Sequence, residues 1–190
     1  MLDTYEEERR PIAAQILDNT LKRDSAPSGE NAAANTITRA ITRQGSANDP
    51  TQLSVGYRGS SLSLNLEAAM AVSAGDRVPD APVFIGPRNQ CARFFQLLDT
   101  TRFTLLHFTG GRFLEISRHP EDLDIWQIQP AAARVNGNTR ALIDIEGHAY
   151  RAYGVQKDAL VLLRPDGYIA ARAGANQISA VLTHLALMTA

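Results

Sequence analysis

The chain has 190 residues and a formal net charge of -1. This length supports one sizeable hydrophobic core, or one domain with an appended arm. The near-neutral charge excludes an electrostatic case for a nucleic acid or an anionic membrane as partner, and the 44% hydrophobic content is typical of a soluble globular chain.

The N-terminal residues predict an amphipathic helix. Glu6–Glu8 would lie in its first turns, where the helix dipole favours acids. Pro11 either kinks this helix or marks its true first turn, because a proline deep in a helix loses a backbone hydrogen bond. The helix has an apolar stripe that needs a surface to cover, formed by Ile12, Ile16 and Leu17.

The next segment, residues 23–50, is rich in small and polar residues and is typical of a linker or mobile loop, with a short helix possible at 32–42. Weak alternation over Gln52–Leu66 then indicates one or two strands. We therefore predict two parts: residues 1–50 as an N-terminal helix and flexible linker, and residues 51–190 as one domain.

The first elements of the compact domain follow three prolines at 79, 82 and 87. The spacing of Cys91, Phe94, Phe95 and Leu98 predicts one face of a helix. Strands are predicted downstream, together with a helix capped by Asp144 and ended by Gly154. The predicted strands are Phe103–Phe108, Asp124–Ile128 and Ala141–Ile143.

The C-terminal part of the chain predicts a β-hairpin. Ala159–Leu163 and Tyr168–Arg172 are extended runs, and the Pro165-Asp166-Gly167 turn joins them. A last helix follows, with one apolar face formed by Ile178, Val181, Leu182, Leu185 and Met188. A hairpin between two helices resembles the C-terminal half of a thioredoxin-like domain. The predicted fold class is therefore α/β, a thioredoxin-like domain whose central mixed sheet is flanked by helices, preceded by the N-terminal helical arm.

Both redox elements of such a domain are missing from the sequence. A thioredoxin or peroxiredoxin needs a cysteine at the end of its first central strand, and Thr109–Arg112 occupies that place here. The proline expected just before the hairpin is replaced by Gln156–Asp158. Cys91 is the one cysteine, and its spacing favours an apolar core residue over a reactive thiol.

Other chemistry-bearing residues give no stronger pattern. Ser60 and Ser61 lie outside a hydrolase nucleophile motif, and no two glycines are spaced as G-x-G, as a dinucleotide site would require. The acids near Pro120 and the charges on the hairpin are predicted to be ordinary exposed side chains: Glu121, Asp122 and Asp124, and Arg164, Asp166 and Arg172. No metal-ligand spacing connects His107, His119, His148 and His184, and His107 is predicted to be a hydrogen-bonded core residue.

Four stretches together resemble one family. Met1–Ile16 is similar to the segment that closes the flavin- and substrate-binding part of FAD-dependent aromatic hydroxylases of the phenol hydroxylase and 3-(3-hydroxyphenyl)propionate hydroxylase type. Tyr57–Ser61 and Ala74–Pro82 resemble the entry to the C-terminal domain of these flavoprotein monooxygenases, and Leu163–Arg172 resembles its closing signature.

The resemblance implies a thioredoxin-like C-terminal domain without redox cysteines, which serves packing and subunit association. FAD and NAD(P)H, and a phenolic substrate, are implied only for a full-length parent enzyme. We therefore assign no catalytic, cofactor-binding or metal-binding residue to this chain.

The expected partners are a second copy of the chain or a separate flavin domain, with no nucleic acid and no membrane. Two alternatives stay open: a hydroxylase component that is active only with a flavin subunit, or a divergent peroxiredoxin-like protein that uses Cys91. The charged N-terminus is unlike a signal peptide, polar residues interrupt the uncharged Ala173–Ala190 stretch, and a single cysteine suits a reducing compartment, so the expected location is the cytoplasm.

Overall fold

The structure is a computed structural model that describes residues 2–24, 55–67, 71–85, 90–109, 120–130, 141–156 and 158–189. Four α-helices lie in this part of the chain: α1 (Leu2–Asp24), α2 (Phe94–Leu97), α3 (His148–Tyr153) and α4 (Ile178–Thr189). The strands are β1 (Leu64–Asn65), β2 (Pro82–Ile85), β3 (Gln90–Arg93), β4 (Phe103–Phe108), β5 (Leu123–Pro130), β6 (Ala141–Asp144), β7 (Ala159–Leu163) and β8 (Ile169–Gly174). A single 3₁₀ turn, Ala175–Gln177, leads from β8 into α4.

The strands form one mixed sheet in the order β1-β8-β7-β4-β5-β6-β2-β3. β4, β5 and β6 are parallel neighbours, whereas β7 pairs antiparallel with both β4 and β8. The strand order β5-β4-β7-β8, in which β7 and β8 form the final hairpin and a helix follows, is the arrangement of a thioredoxin-like domain. The predicted fold class is therefore confirmed.

The sheet separates two hydrophobic cores. The larger core contains Tyr153, Phe94 and Phe108, and the rings of Phe94 and Phe108 lie 5.8 and 5.3 Å from that of Tyr153. The core on the other face packs α4 against the sheet through Val181 and Leu185. β7 is buried along its whole length because both of its faces are covered, which explains its continuous apolar run. None of the helices among the described residues is long and apolar enough to cross a membrane.

The local signals before the hairpin are confirmed. The Asp144 carboxylate accepts hydrogen bonds from the backbone amides of His148 and Tyr150, at 2.8 and 2.9 Å. These amides belong to the first turn of α3, which has no intrahelical acceptor for them. Gly154 ends the helix in the left-handed region, with φ of 62°.

The predicted helix through Cys91 is wrong. Gln90–Arg93 pairs with β2 as the edge strand of the sheet, and only the four residues of α2 after it are helical. Phe94 is buried as predicted, but Phe95 is 56% exposed and Cys91 is also exposed. The helical spacing was coincidental, because pairing with β2 satisfies the backbone of residues 90–93 and helical bonds do not.

Other expectations have mixed outcomes. α1 runs through Pro11 without interruption, and the alternating stretch at 52–66 contributes only β1 in its described part. β5 extends over eight residues, beyond the predicted Asp124–Ile128. The predicted helix at 32–42 and the boundary at residue 50 lie outside the described residues.

We predict that Asp144→Ala lowers the free energy of unfolding by about 1–2 kcal/mol, because two first-turn amides lose their acceptor. Urea unfolding followed by the fluorescence of Trp126 would measure the loss. The control is Asp122→Ala, since Asp122 is exposed and should change stability by less than about 0.5 kcal/mol. Equal losses for the two variants would contradict this role of Asp144.

Candidate functional site

A buried ion pair joins α1 to the turn between β7 and β8. The Arg164 guanidinium donates to both carboxylate oxygens of Glu8, at 2.6 and 2.9 Å, and to Asp166 at 2.6 Å. The side chains of Arg164 and Glu8 are only 12% and 5% exposed. Burial alone would lower the pKa of Arg164, but the two carboxylates outweigh it and raise that pKa. The guanidinium is therefore a permanent cation with two anionic partners.

The same end of α1 also binds a turn that precedes β1. Ser60 Oγ donates to Glu8 at 2.7 Å. The hydroxyl and backbone amide of Ser61 donate to the two carboxylate oxygens of Glu7, at 2.7 and 2.9 Å. These bonds lower the pKa of Glu7, the hydroxyl having the larger effect. The serines thus hold α1 in place.

Two tyrosine rings pack next to this contact, with their planes at 57° to each other. The rings of Tyr57 and Tyr168 are 4.6 Å apart, and both side chains are buried. Arg9 and Arg164 lie 5.8 and 6.0 Å from the centre of the Tyr57 ring, close enough for cation–π attraction. Arg77 lies 5.3 Å from the Tyr168 ring. Aromatic faces and carboxylates therefore surround several positive charges in a small volume.

A bidentate ion pair links the Ala74–Pro82 segment to this cluster. Arg58 donates from Nε and Nη2 to the two carboxylate oxygens of Asp76, at 2.6 and 2.9 Å. Gly75, beside Asp76, accepts a hydrogen bond from the amide of Tyr57 at 2.7 Å and has φ of 91°. A side chain on Gly75 would begin 2.3 Å from the backbone of Tyr57, so only glycine permits this approach. We call this whole cluster the α1 junction: Glu7, Glu8, Tyr57, Arg58, Ser60, Ser61, Asp76, Arg164 and Tyr168.

The prediction of ordinary exposed charges on the hairpin is wrong for its two arginines. The Arg164 side chain is only 12% exposed in the α1 junction, and Arg172 is only 3% exposed. The sequence pattern missed this because partners from residues 8, 153 and 154, far away in the chain, cover both guanidinium groups. Asp166 is the exposed member, at 37%.

The Tyr150 hydroxyl bonds to the backbone of Thr109, the residue that directly follows β4. Thr109 follows β4 and is buried, and its carbonyl oxygen accepts a hydrogen bond from the Tyr150 hydroxyl at 3.2 Å. The same hydroxyl lies 3.1 Å from the carbonyl oxygen of Ile128. Burial, together with the charge of Asp158, raises the pKa of Tyr150 to about 12. This hydroxyl is therefore protonated near neutral pH and serves as a donor. Residues 110–112 lie outside the described part of the chain.

The other candidates lie apart from one another. His107 is buried in β4, and burial lowers its pKa, but its Nδ1 has no hydrogen-bond partner among the described residues, so the predicted hydrogen bond is not found at that atom. His148 is bonded to Glu146 at the surface, and His184 contacts the carbonyl oxygen of Leu62. Glu121 and Asp122 are exposed, as predicted, but the prediction is wrong for Asp124, which pairs with Arg102 at 3.2 Å and is 19% exposed. Within the described ranges, no three His, Cys, Asp or Glu side chains are grouped to hold a metal ion.

Comparison with known proteins identifies the family. Residues 72–188 match the family model described as "Aromatic-ring hydroxylase, C-terminal". The chain belongs to this family. The match includes the motif around Asp76 and the whole hairpin, whereas α1 and the Tyr57–Ser61 segment precede it.

Two curated relatives match most of the chain. The pentachlorophenol 4-monooxygenase of Sphingobium chlorophenolicum is 31% identical over 92% of this chain and 34% of its own length. A flavin-dependent monooxygenase of Mycobacteroides abscessus is 33% identical over 89% of this chain and 27% of its own length. The aromatic-ring hydroxylase domain described here thus spans about a third or less of the curated relatives it matches.

A solved structure shows the same fold. The flavin-dependent monooxygenase PieE, whose crystal structure contains FAD and substrate, aligns with 98% of this chain and 39% of its own. The TM-score is 0.63 at 19% sequence identity, a likeness that bears on the fold alone.

We predict that Glu8→Ala releases the N-terminal turns of α1, because Arg164 and Ser60 lose the carboxylate that joins them to the helix. Breaking a buried pair costs about 3–5 kcal/mol, and the loss here should be smaller because Asp166 still faces Arg164. Amide hydrogen exchange should quicken in α1 and at residues 60–63 while β7 and β8 stay protected. The matched control is Glu6→Ala, since the exposed Glu6–Arg10 pair is worth only about 0.3–0.5 kcal/mol. Unchanged exchange in the Glu8 variant would refute the role of the ion pair.

We also predict that acid weakens the α1 junction. The folded pKa of Glu7 is lowered from its ordinary value of 4.5, so its contribution is complete above that value and is lost as the pH falls through the lowered folded pKa. In an NMR titration, the Ser61 amide should shift over this acidic range. The shift should vanish in Glu7→Gln, whose amide group does not titrate. A Ser61 amide that ignores pH in the native chain would contradict the bond to Glu7.

Proposed function

We propose that this chain is the non-catalytic association domain of an FAD- and NAD(P)H-dependent aromatic hydroxylase. Its role is to hold a flavin-binding part in place, either in the same polypeptide or in a separate subunit. FAD, NAD(P)H and a phenolic substrate belong to that parent enzyme. Membership of the aromatic-ring hydroxylase C-terminal family and two relatives with monooxygenase names support this proposal.

The α1 junction is the observation that carries the proposal. Helix α1 is 23 residues long, about 35 Å, yet the contacts described above use only its first turns. Those contacts include a desolvated ion pair, which fixes direction better than exposed pairs do. The later turns expose Ile16 by 42% and Leu17 by 65%. Helix α1 is thus fixed at its N-terminal end and exposes apolar side chains in its later turns. This arrangement is suited to positioning the flavin-binding part or a second copy of the chain.

The residues of this chain also support a role without redox chemistry. The position after β4 is threonine, and the neighbouring Tyr150 hydroxyl stays protonated. Cys91, on which a peroxiredoxin-like reaction would depend, lies on β3, four strands away from β4. At about 4.8 Å per strand this is roughly 19 Å from the strand that carries the thiol in thioredoxin-like enzymes. An exposed free thiol on an edge strand is consistent with the reducing cytoplasm, where we place the protein.

We propose self-association or flavin-domain binding through the exposed side of α1. Leu17 is a hydrophobic side chain that a partner would cover, and its burial would contribute about 1.5–3 kcal/mol. Phe95 is a comparable exposed apolar residue that lies on α2, on a different element. The two positions therefore supply a matched pair of variants.

The purified chain is expected to be colourless and to form dimers in analytical ultracentrifugation, or a complex when the flavin-binding part is added. Leu17→Asp should weaken that association by roughly tenfold or more, because a charge replaces a buried anchor. Phe95→Asp should leave the association unchanged. A stoichiometric flavin absorbance in this chain alone would overturn the non-catalytic assignment. A chain that stays monomeric at high concentration and ignores the flavin-binding part would overturn the association role.

A further inference from the structure

A polar pocket lies at the open end of the hairpin, away from the Arg164–Gly167 turn. Its volume is about 680 Å³. The start of β7, the end of β8 and the loop after α3 form its walls, and Glu67 and Asp158 contribute carboxylates to it. This volume lies within the range of small-molecule sites, roughly 300–1,000 Å³.

Arg172 gives the pocket a buried positive charge that is incompletely satisfied. Its Nη1 donates to the carbonyl oxygens of Val72 and Tyr153, and its Nη2 donates to that of Gly154 at 3.1 Å. Nε is buried and has no hydrogen-bond partner among the described residues. Burial lowers the pKa of Arg172, although the charge of Glu67 opposes this shift. A buried donor of this kind is costly unless a ligand or water satisfies it.

A second feature also favours a negative group inside the pocket. Ala175 and Asn176 line it and belong to the 3₁₀ turn that opens α4. Backbone amides and the positive dipole end at the start of a helix attract an anionic oxygen. A carboxylate also matches the fork of donors on a guanidinium. The two features therefore select the same kind of ligand group.

The exposed part of the pocket has the opposite charge. Glu67 and Asp158 are both exposed. Glu67 Oε1 lies 2.6 Å from the point where a side chain on Gly174 would begin, so this carboxylate lies directly over the end of β8. A simple anion would be repelled by the two acids, and a simple cation would be repelled by Arg172. A ligand with both charges avoids both penalties.

We infer that this pocket binds a small zwitterion of the α-amino acid class. The ligand carboxylate faces Arg172 and the start of α4, and its ammonium group faces Glu67 and Asp158. The binding site does not depend on the association role proposed above, because Leu17 and the α1 junction contribute nothing to it.

The test is an NMR titration of the isotope-labelled full chain with glycine and L-leucine at fixed pH and ionic strength. Saturable shifts are expected at Gly154, Val155, Gly174 and Asn176, with dissociation constants on the order of millimolar. Acetate and methylammonium each carry only one of the two charges and should bind at least about fivefold more weakly. Absence of saturable shifts with both amino acids would overturn the inference.

Charge variants separate this site from a plain anion site. Glu67→Gln and Asp158→Asn should each weaken glycine binding by about two- to fivefold while leaving acetate unchanged or slightly tighter. Glu121→Gln removes an exposed acid on the loop before β5 and should change neither. Arg172→Lys should abolish the glycine shifts, and the two rim variants decide the matter if this protein fails to fold. Acetate that binds as tightly as glycine, or a Glu67 variant with unchanged glycine affinity, would refute the zwitterion assignment.

Discussion

The desolvated guanidinium of Arg164 is the constraint on which the arrangement of α1 depends. A charge with so little exposure needs anionic partners, and the hairpin turn supplies only Asp166. Glu8 therefore has to come from α1, which fixes where the helix enters the domain. Once the Glu8 carboxylate is in place, it also accepts from Ser60 and so brings the turn before β1 to the same point. Charge satisfaction, rather than apolar burial, sets the geometry of this contact.

The hairpin has an arginine near each end, and the two arginines differ in the partners that surround their charge. Arg164 faces two carboxylates and is electrically balanced. Arg172 faces three backbone carbonyl oxygens. They accept hydrogen bonds from its guanidinium group but carry no net charge to balance it. The first arrangement is suited to holding a helix. The second leaves a positive potential in a pocket, and this difference assigns structural support to one end of the hairpin and ligand binding to the other.

The thioredoxin-like sheet carries a threonine directly after β4, and the one cysteine of the chain lies on β3. Thr109 directly follows β4, and the Tyr150 hydroxyl lies within hydrogen-bond distance of the carbonyl oxygens of Thr109 and Ile128. The strand pairings and the two cores do not depend on a thiol at this place.

The sequence by itself determined the elements with strong local signals. The run at Phe103–Phe108, the hairpin with its Pro165-Asp166-Gly167 turn, and the cap and stop of α3 were all predictable, because each depends on neighbouring residues. The family resemblance was also readable from short motifs. Only the tertiary structure decided that these motifs meet at the α1 junction, that Cys91 lies on an edge strand, and that Arg164 and Arg172 are buried. The physical reason is that burial and charge pairing join residues more than a hundred positions apart, as Glu8 and Arg164 show, and no local pattern records such partners.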